Sequence, residues 1–260
     1  MKYGFIGCGN IGGAIARALS RSTKDILISD RSGRAETLAE ELGIGYGSVE
    51  QVVVSCDRIF LAVKPHMVRE VLEPFQAILN ERRPILISMA AGLEISTIQK
   101  LAGTRLPVIR IMPNTPVAVG KGVIPYCSLL VPQEALEDWL RDMAPCALVD
   151  PLPEKLMDVA SALSGSGPAY LYVMLEAMAD GAVACGLPRK TAMEYAAATM
   201  AGAAAMYQES GTPPGALKDA VCSPGGSTFA GIRELESKGF RGAVMDCINA
   251  AWIKNKELGK

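Results

Sequence analysis

A glycine-rich turn between a strand and a helix, near the start of the chain, restricts the possible folds more than any other stretch. Tyr3, Gly4, Phe5 and Ile6 read as a short buried strand, and Gly7-Cys8-Gly9-Asn10-Ile11-Gly12 follows it. Ile15, Ala18 and Leu19 then recur on one face of a helix. In such a unit the first glycine makes the turn, the second admits a pyrophosphate, and the third lets the helix sit close to the strand. Gly7, Cys8, Gly9, Asn10, Ile11 and Gly12 are therefore expected to bind a dinucleotide. The strand begins so early that no signal peptide fits ahead of it, and a cytoplasmic protein is expected.

The second strand, residues 25–29, ends at Asp30-Arg31-Ser32. Two signals oppose each other there. An acidic side chain at this distance suits the ribose 2′-hydroxyl of NAD, whereas an Arg beside a Ser suits the 2′-phosphate of NADP. The balance favours NADPH, because an Asp at such a bend also serves to cap the next helix; NADH stays open.

Further apolar runs at 58–63, 84–88 and 108–111, separated by helical segments such as 35–42, predict a parallel sheet covered on both faces. Ligands of such sheets bind beyond the carboxyl ends of the strands. That rule brings Lys64, Pro65, Ala90, Ala91 and Gly92 beside the cofactor. Asn114 lies in a loop stiffened by Pro113 and Pro116, and is expected either to hydrogen-bond the nicotinamide carboxamide or to close an Asx turn. Strands at 123–127 and 147–150, with a helix around Trp139, complete the sheet, and Pro125 marks an edge strand. His66, the single histidine, follows Pro65 at a strand end, where it is a general acid or passive pocket lining.

After Asp150-Pro151-Leu152-Pro153 no strand pattern recurs. The fold class is thus an α/β Rossmann-type domain over residues 1–150 followed by an all-α domain over 151–260. Helical segments at 154–163, 169–185, 189–208, 215–221, 228–238 and 239–256 are punctuated by Ser164-Gly165-Ser166-Gly167-Pro168, Gly186-Leu187-Pro188 and Thr212-Pro213-Pro214. In the third of these, alanines crowd together, and between Glu194 and Lys218 only Glu209 is charged. A helix that apolar must be covered, and six helices in roughly 110 residues hardly enclose one unaided. An intermeshed homodimer is expected; the alternative is a central helix buried within one chain.

Val221-Cys222-Ser223-Pro224-Gly225-Gly226-Ser227-Thr228 leads into a helical pattern at Phe229, Ile232 and Leu235. Two adjacent glycines expose backbone N–H groups, and the helix start adds a positive dipole end with two hydroxyls beside it. Gly225, Gly226, Ser227 and Thr228 thus suit a small carboxylate, though the same residues also make an ordinary capped turn. A formal net charge of −1 leaves no broad field for nucleic acid or an anionic membrane, and no uncharged apolar run is long enough to span one. A small-molecule substrate is expected. The seven cysteines are scattered without a CxxC pair, which signals neither a disulfide framework nor a metal site. Cys222, beside the carboxylate turn, has no base near it in sequence.

With Ala62-Val63-Lys64-Pro65, Met112-Pro113-Asn114-Thr115-Pro116, Ser164-Gly165-Ser166-Gly167-Pro168-Ala169-Tyr170 and Pro214-Gly215-Ala216-Leu217-Lys218-Asp219, these motifs make the chain resemble the pyrroline-5-carboxylate reductases over essentially its whole length. The resemblance implies NAD(P)H-dependent reduction of 1-pyrroline-5-carboxylate to L-proline, the last step of proline biosynthesis. It also implies a helical dimerisation domain, with dimers often assembled into decamers. By the same resemblance Gly225, Gly226, Ser227 and Thr228 hold the substrate carboxylate, Thr228 donates a proton to the ring nitrogen, and Ala62, Val63, Lys64, Pro65 and Asn114 hold the nicotinamide half of the cofactor. Asp30 departs from members that prefer NADPH, which often carry a neutral residue there. Two rival readings are another two-domain Rossmann oxidoreductase, such as a β-hydroxyacid dehydrogenase, and a non-catalytic dinucleotide-binding module. The first needs a titratable group that the helical domain does not obviously place, and the second predicts damage in a carboxylate segment that is intact.

Overall fold

The computed structural model describes residues 2–258. The chain forms two compact units, one running to Ser166 and resuming at Ala250, the other Gly167–Asn249. Strands give way to helices after Pro151, but residues 152–166 belong with the sheet rather than with the helices that follow.

In the first unit β1 (Tyr3–Ile6), α1 (Asn10–Leu19), β2 (Ile26–Ser29), α2 (Arg34–Leu42) and β3 (Gly45–Tyr46) make one winding. The other contains α3 (Val49–Ser55), β4 (Arg58–Leu61), α4 (Val68–Leu72), α5 (Gln76–Arg82), β5 (Ile85–Ser88), α6 (Ile95–Leu101) and β6 (Val108–Ile111). β7 (Gly122–Leu129), α7 (Gln133–Met143) and β8 (Ala147–Pro151) extend it. The strand order is β3-β2-β1-β4-β5-β6-β7-β8, a Rossmann-type sheet whose direction of winding reverses between β1 and β4. A crevice at the carboxyl ends of the strands follows from that reversal.

Strands β1, β2, β4, β5 and β6 are buried along their whole length, because helices lie on both faces. Alternation divides their side chains between two cores. Tyr3, Phe5 and Phe60 pack with Ile15, Leu19 and Trp139 on one face, the Phe5 and Phe60 rings stacked at 4.4 Å. Ile59, Leu61 and Leu86 pack with Val52, Val53 and Ile98 on the other.

Three expectations are corrected. The sheet is not wholly parallel, since β7 runs antiparallel to β6 and parallel to β8. Pro125 is therefore not on an edge strand. It is tolerated because the β6–β7 ladder ends at the pair Ile111 and Tyr126, one residue short of it, so its missing N–H breaks no rung there. Nor does Ser164-Gly165-Ser166-Gly167-Pro168 interrupt the helix. A short 3-10 turn (Glu154–Leu156) and α8 (Met157–Ala160) run into a π-helical turn (Ser161–Gly165), and α9 (Gly167–Ala184) begins directly after it. The wider turn takes in Gly165, and Ser166 alone separates it from α9.

A buried guanidinium fixes this segment to the sheet. Arg110 on β6, 3% exposed, donates from Nη1 to Glu154 Oε1 at 3.2 Å and from Nη2 to Asp158 Oδ1 at 3.1 Å. Glu154 Oε1 also accepts the Ile95 N–H at 2.8 Å, and Asn255 Nδ2 donates to the Asp158 carbonyl at 3.0 Å.

The second unit comprises α9, α10 (Arg189–Ser210), α11 (Pro214–Ala220), α12 (Ser227–Ser237) and most of α13 (Phe240–Leu258), with α9 packed on α10. On α10 only Ala192 and Ala196 are buried, while Tyr195, Met206 and Tyr207 stand more than half exposed. A central helix enclosed by its own chain is thus ruled out.

Candidate functional site

β1 delivers Gly7 into the turn at a φ of +100°, a conformation that favours glycine. A Cβ there would lie 2.5 Å from the Ala62 carbonyl oxygen, and one on Gly12 would lie 2.5 Å from the Gly7 oxygen. Both positions are closed by backbone. Gly9 differs, since a Cβ built on it meets nothing within 4 Å. It is also the residue before α1, and no side chain caps that helix start. Open space therefore faces the free N–H groups and the positive end of α1, the arrangement that receives a diphosphate.

The space belongs to a cleft of about 1160 Å³ in the first unit, above the roughly 300–1,000 Å³ of most small-molecule sites and suited to an extended ligand. Its walls come from the carboxyl ends of β1, β2, β4, β5 and β6. Of the residues expected at the cofactor, Gly7, Gly9, Asn10, Ile11, Gly12, Asp30, Arg31, Ser32, Ala62, Val63, Lys64 and Pro65 line it. The glycine cradle, the open helix start and the volume fit a dinucleotide.

Three expected residues are placed elsewhere. Cys8 is buried and faces away from the cleft; burial first, and Asp30 second, push its thiol up to about 12, so it stays protonated. Ala90 is fully buried in the core, and its neighbours Met89 and Ala91 line the cleft instead. Asn114 is buried with both ends of its amide engaged: Nδ2 donates to the Ser164 carbonyl at 2.9 Å, and Oδ1 accepts the Val123 N–H at 2.9 Å. It braces the π-helical turn and the start of β7 rather than facing a ligand. Met112, Pro113 and Thr115, around it, reach the cleft. His66 is exposed and outside the lining, whereas Pro65 and Met67 contribute to it.

Asp30 is committed to the protein. Its Oδ2 accepts the Cys8 N–H at 2.7 Å, and its Oδ1 accepts the Ser32 N–H at 2.7 Å together with the Ser32 hydroxyl. Partial burial alone would raise this carboxyl, but the hydrogen bonds from Cys8 and Ser32 outweigh it and hold it below the ordinary carboxylate range. Arg31 reaches across the mouth of the cleft to Glu70 on α4, Nη2 to Oε1 at 2.6 Å. Glu70 and Phe75 escaped sequence reasoning because nothing in the local pattern around α4 signals that they face a ligand; only the placement of α4 does.

In the second unit the turn before α12 has the expected form. Gly225 lies at a φ of +68°, Gly226 is the residue before the helix, and the Gly226 N–H donates to the Ser223 carbonyl at 3.0 Å. No side chain caps the start of α12, and Ser227 and Thr228 are exposed. Backbone amides of the first turn without a side-chain cap and two exposed hydroxyls thus lie together at this helix start.

Residues 154–258 match the family model for pyrroline-5-carboxylate reductase dimerisation, and residues 2–92 match that for NADP oxidoreductases dependent on coenzyme F420. The pyrroline-5-carboxylate reductase of Escherichia coli is 37% identical, over 100% of this chain and 98% of its own length. That of Pisum sativum is 38% identical over 98% and 95%. Among solved structures, Plasmodium falciparum pyrroline carboxylate reductase with NADP bound superposes with a TM-score of 0.91 at 33% identity, covering 100% of this chain and 98% of that one. With its glycine cradle, its uncapped Gly-Gly-Ser-Thr helix start and relatives of this identity along its full length, the chain belongs to the pyrroline-5-carboxylate reductase family.

Proposed function

We propose that the chain reduces 1-pyrroline-5-carboxylate to L-proline with NADPH, the last step of proline biosynthesis, NADH being the alternative donor. The observation that carries this reading is the presence of an intact dinucleotide cleft and an intact amide-lined turn in one chain that these reductases match from end to end. A cyclic imine is already electrophilic, so the reaction needs a hydride, a fixed orientation and a proton at nitrogen. Bound NADPH supplies the hydride. Gly7, Gly9 and Gly12, with the start of α1, bind its diphosphate; Ala62, Val63, Lys64 and Pro65 line its nicotinamide end. Gly225, Gly226, Ser227 and Thr228 take the substrate carboxylate, and the Thr228 hydroxyl, or a water held by it, hydrogen-bonds the nitrogen. Orientation of this kind contributes up to roughly 7–11 kcal/mol in well-ordered systems, which is why no metal or strong acid is required.

The large apolar side chains exposed on the helical unit, among them Val173, Tyr195 and Met245, support a homodimer, as does the dimerisation model that matches there. Assembly of dimers into decamers is the extended form of the same reading. Seven unpaired thiols fit a reducing cytoplasm, and among the described residues no helix is long and apolar enough to cross a membrane.

The purified chain, given NADPH and 1-pyrroline-5-carboxylate, is expected to consume the nucleotide and release proline. Thr228→Ala should lower kcat/KM about 10–1000-fold, the size of one oriented hydrogen bond plus a disturbed helix start. A wild-type protein that leaves the imine untouched, or that oxidises a β-hydroxyacid instead, overturns the assignment; unaltered kinetics in the variant remove Thr228 from the mechanism.

A further inference from the structure

We infer that Glu70 is a specificity-determining residue, which pairs with the Arg31 guanidinium and competes with a ribose 2′-phosphate for it. The inference rests on the dinucleotide reading above. At the end of β2 three side chains face the adenosine end of the cleft, and two are already engaged. Asp30 accepts from Cys8 and Ser32, and the Ser32 hydroxyl is spent on Asp30. An Asp in this position would otherwise favour the phosphate-free nucleotide by accepting from its 2′-hydroxyl. With three of its about four acceptor sites spent in the turn, it keeps only one, on Oδ2, for that hydroxyl.

Discrimination then falls to Arg31, and Arg31 is paired. Its side chain and that of Glu70 are 68% and 60% exposed and both line the cleft, so the pair stands in water at the mouth. The guanidinium also holds the Glu70 carboxyl below the ordinary carboxylate range. A phosphate dianion arriving at Arg31 either displaces this carboxylate from Nη2 or takes the remaining guanidinium donors and lies beside it, like charge against like. A ribose that carries only a hydroxyl leaves the pair intact. Glu70 therefore penalises the phosphorylated nucleotide selectively, and an exposed pair is weak enough to be exchanged rather than to block the site.

The test is a set of binding titrations that follow reduced-nicotinamide fluorescence, with no imine present. Glu70→Gln is expected to tighten NADPH about 3–5-fold, the range set by an exposed ion pair, and to leave NADH within about 2-fold. In an Arg31→Ala background the same substitution should change NADPH binding by less than about 2-fold. Glu73→Gln, an exposed acid on the next turn outside the lining, controls for general loss of negative charge and should have no such effect. The inference is overturned by a smaller gain in Glu70→Gln, by an equal gain for NADH, by a gain that survives removal of Arg31, or by an equal effect of Glu73→Gln. A wild-type protein that binds neither nucleotide sinks the dinucleotide reading itself, which separates the two failures.

Discussion

Gly9 and Gly12 lie three residues apart in one turn and are glycine for opposite reasons. Gly12 has no room, because its Cβ would strike the Gly7 carbonyl, while Gly9 has room that a ligand needs. Gly12→Ala is expected to destabilise the fold by about 1–3 kcal/mol, as overpacking against backbone does, and to lower the melting temperature accordingly. Gly9→Ala should melt like the wild type yet weaken NADPH in a fluorescence titration. The reverse pattern would show that the turn is read the wrong way round. These glycines were legible in the sequence because spacing and context fix their backbone roles. Cys8, Ala90 and Asn114 were not, although they sit in the same strand-end segments. Whether a strand-end side chain turns to the ligand or to the core depends on the twist of the strand and on what packs beneath. Asn114 is the clearest case: its polar amide suggested a ligand, and the backbone groups of Ser164 and Val123 use both ends of it.

Among the elements, the segment that leaves the sheet after β8 depends on one buried cation. Removing Arg110 would leave Glu154 and Asp158 without their partner and the Ile95 N–H on a carboxylate no longer neutralised. Breaking a buried pair by deleting one partner costs about 3–5 kcal/mol, and the partly exposed carboxylates here place the cost at the lower end. Arg110→Ala is expected to lose that much in denaturant unfolding, whereas a change below about 1 kcal/mol would mean that the network is ornamental. Seven of the eight strands were readable from apolar runs, though not β3 or the order of the sheet, and the turn before α12 was readable from its two glycines. Three other elements were not. Helix α3 is rich in β-branched valines that resemble a strand, and the capping box formed by Ser48 and Gln51 was the available clue. Gly4 in β1 answers to the same helix, since a Cβ there would lie 2.5 Å from Val52. Pro125 misled because the rule about edge strands concerns a missing donor, and the neighbouring ladder ends before that donor is needed. The π-helical turn escaped notice because glycine and proline usually end a helix, and nothing local announces a wider coil.

For the whole molecule, the composition of α10 already pointed beyond a single chain, and the structure leaves that helix bare on most of its surface. Apolar side chains in such numbers on one unit ask for cover. Val173→Glu combined with Tyr195→Glu is expected to shift the protein to the mass of a single chain in light scattering, whereas a wild type that already elutes as one chain would dismiss the dimer. The helical unit departs from the sheet-bearing unit at Ser166, and its last helix runs back into that unit at Ala250. It is an excursion closed at both ends, not a tail. One proteolytic nick at an outlying turn such as Thr212-Pro213 would sever the polypeptide and free neither half, because each fragment would still own a share of the fold that cradles the nucleotide.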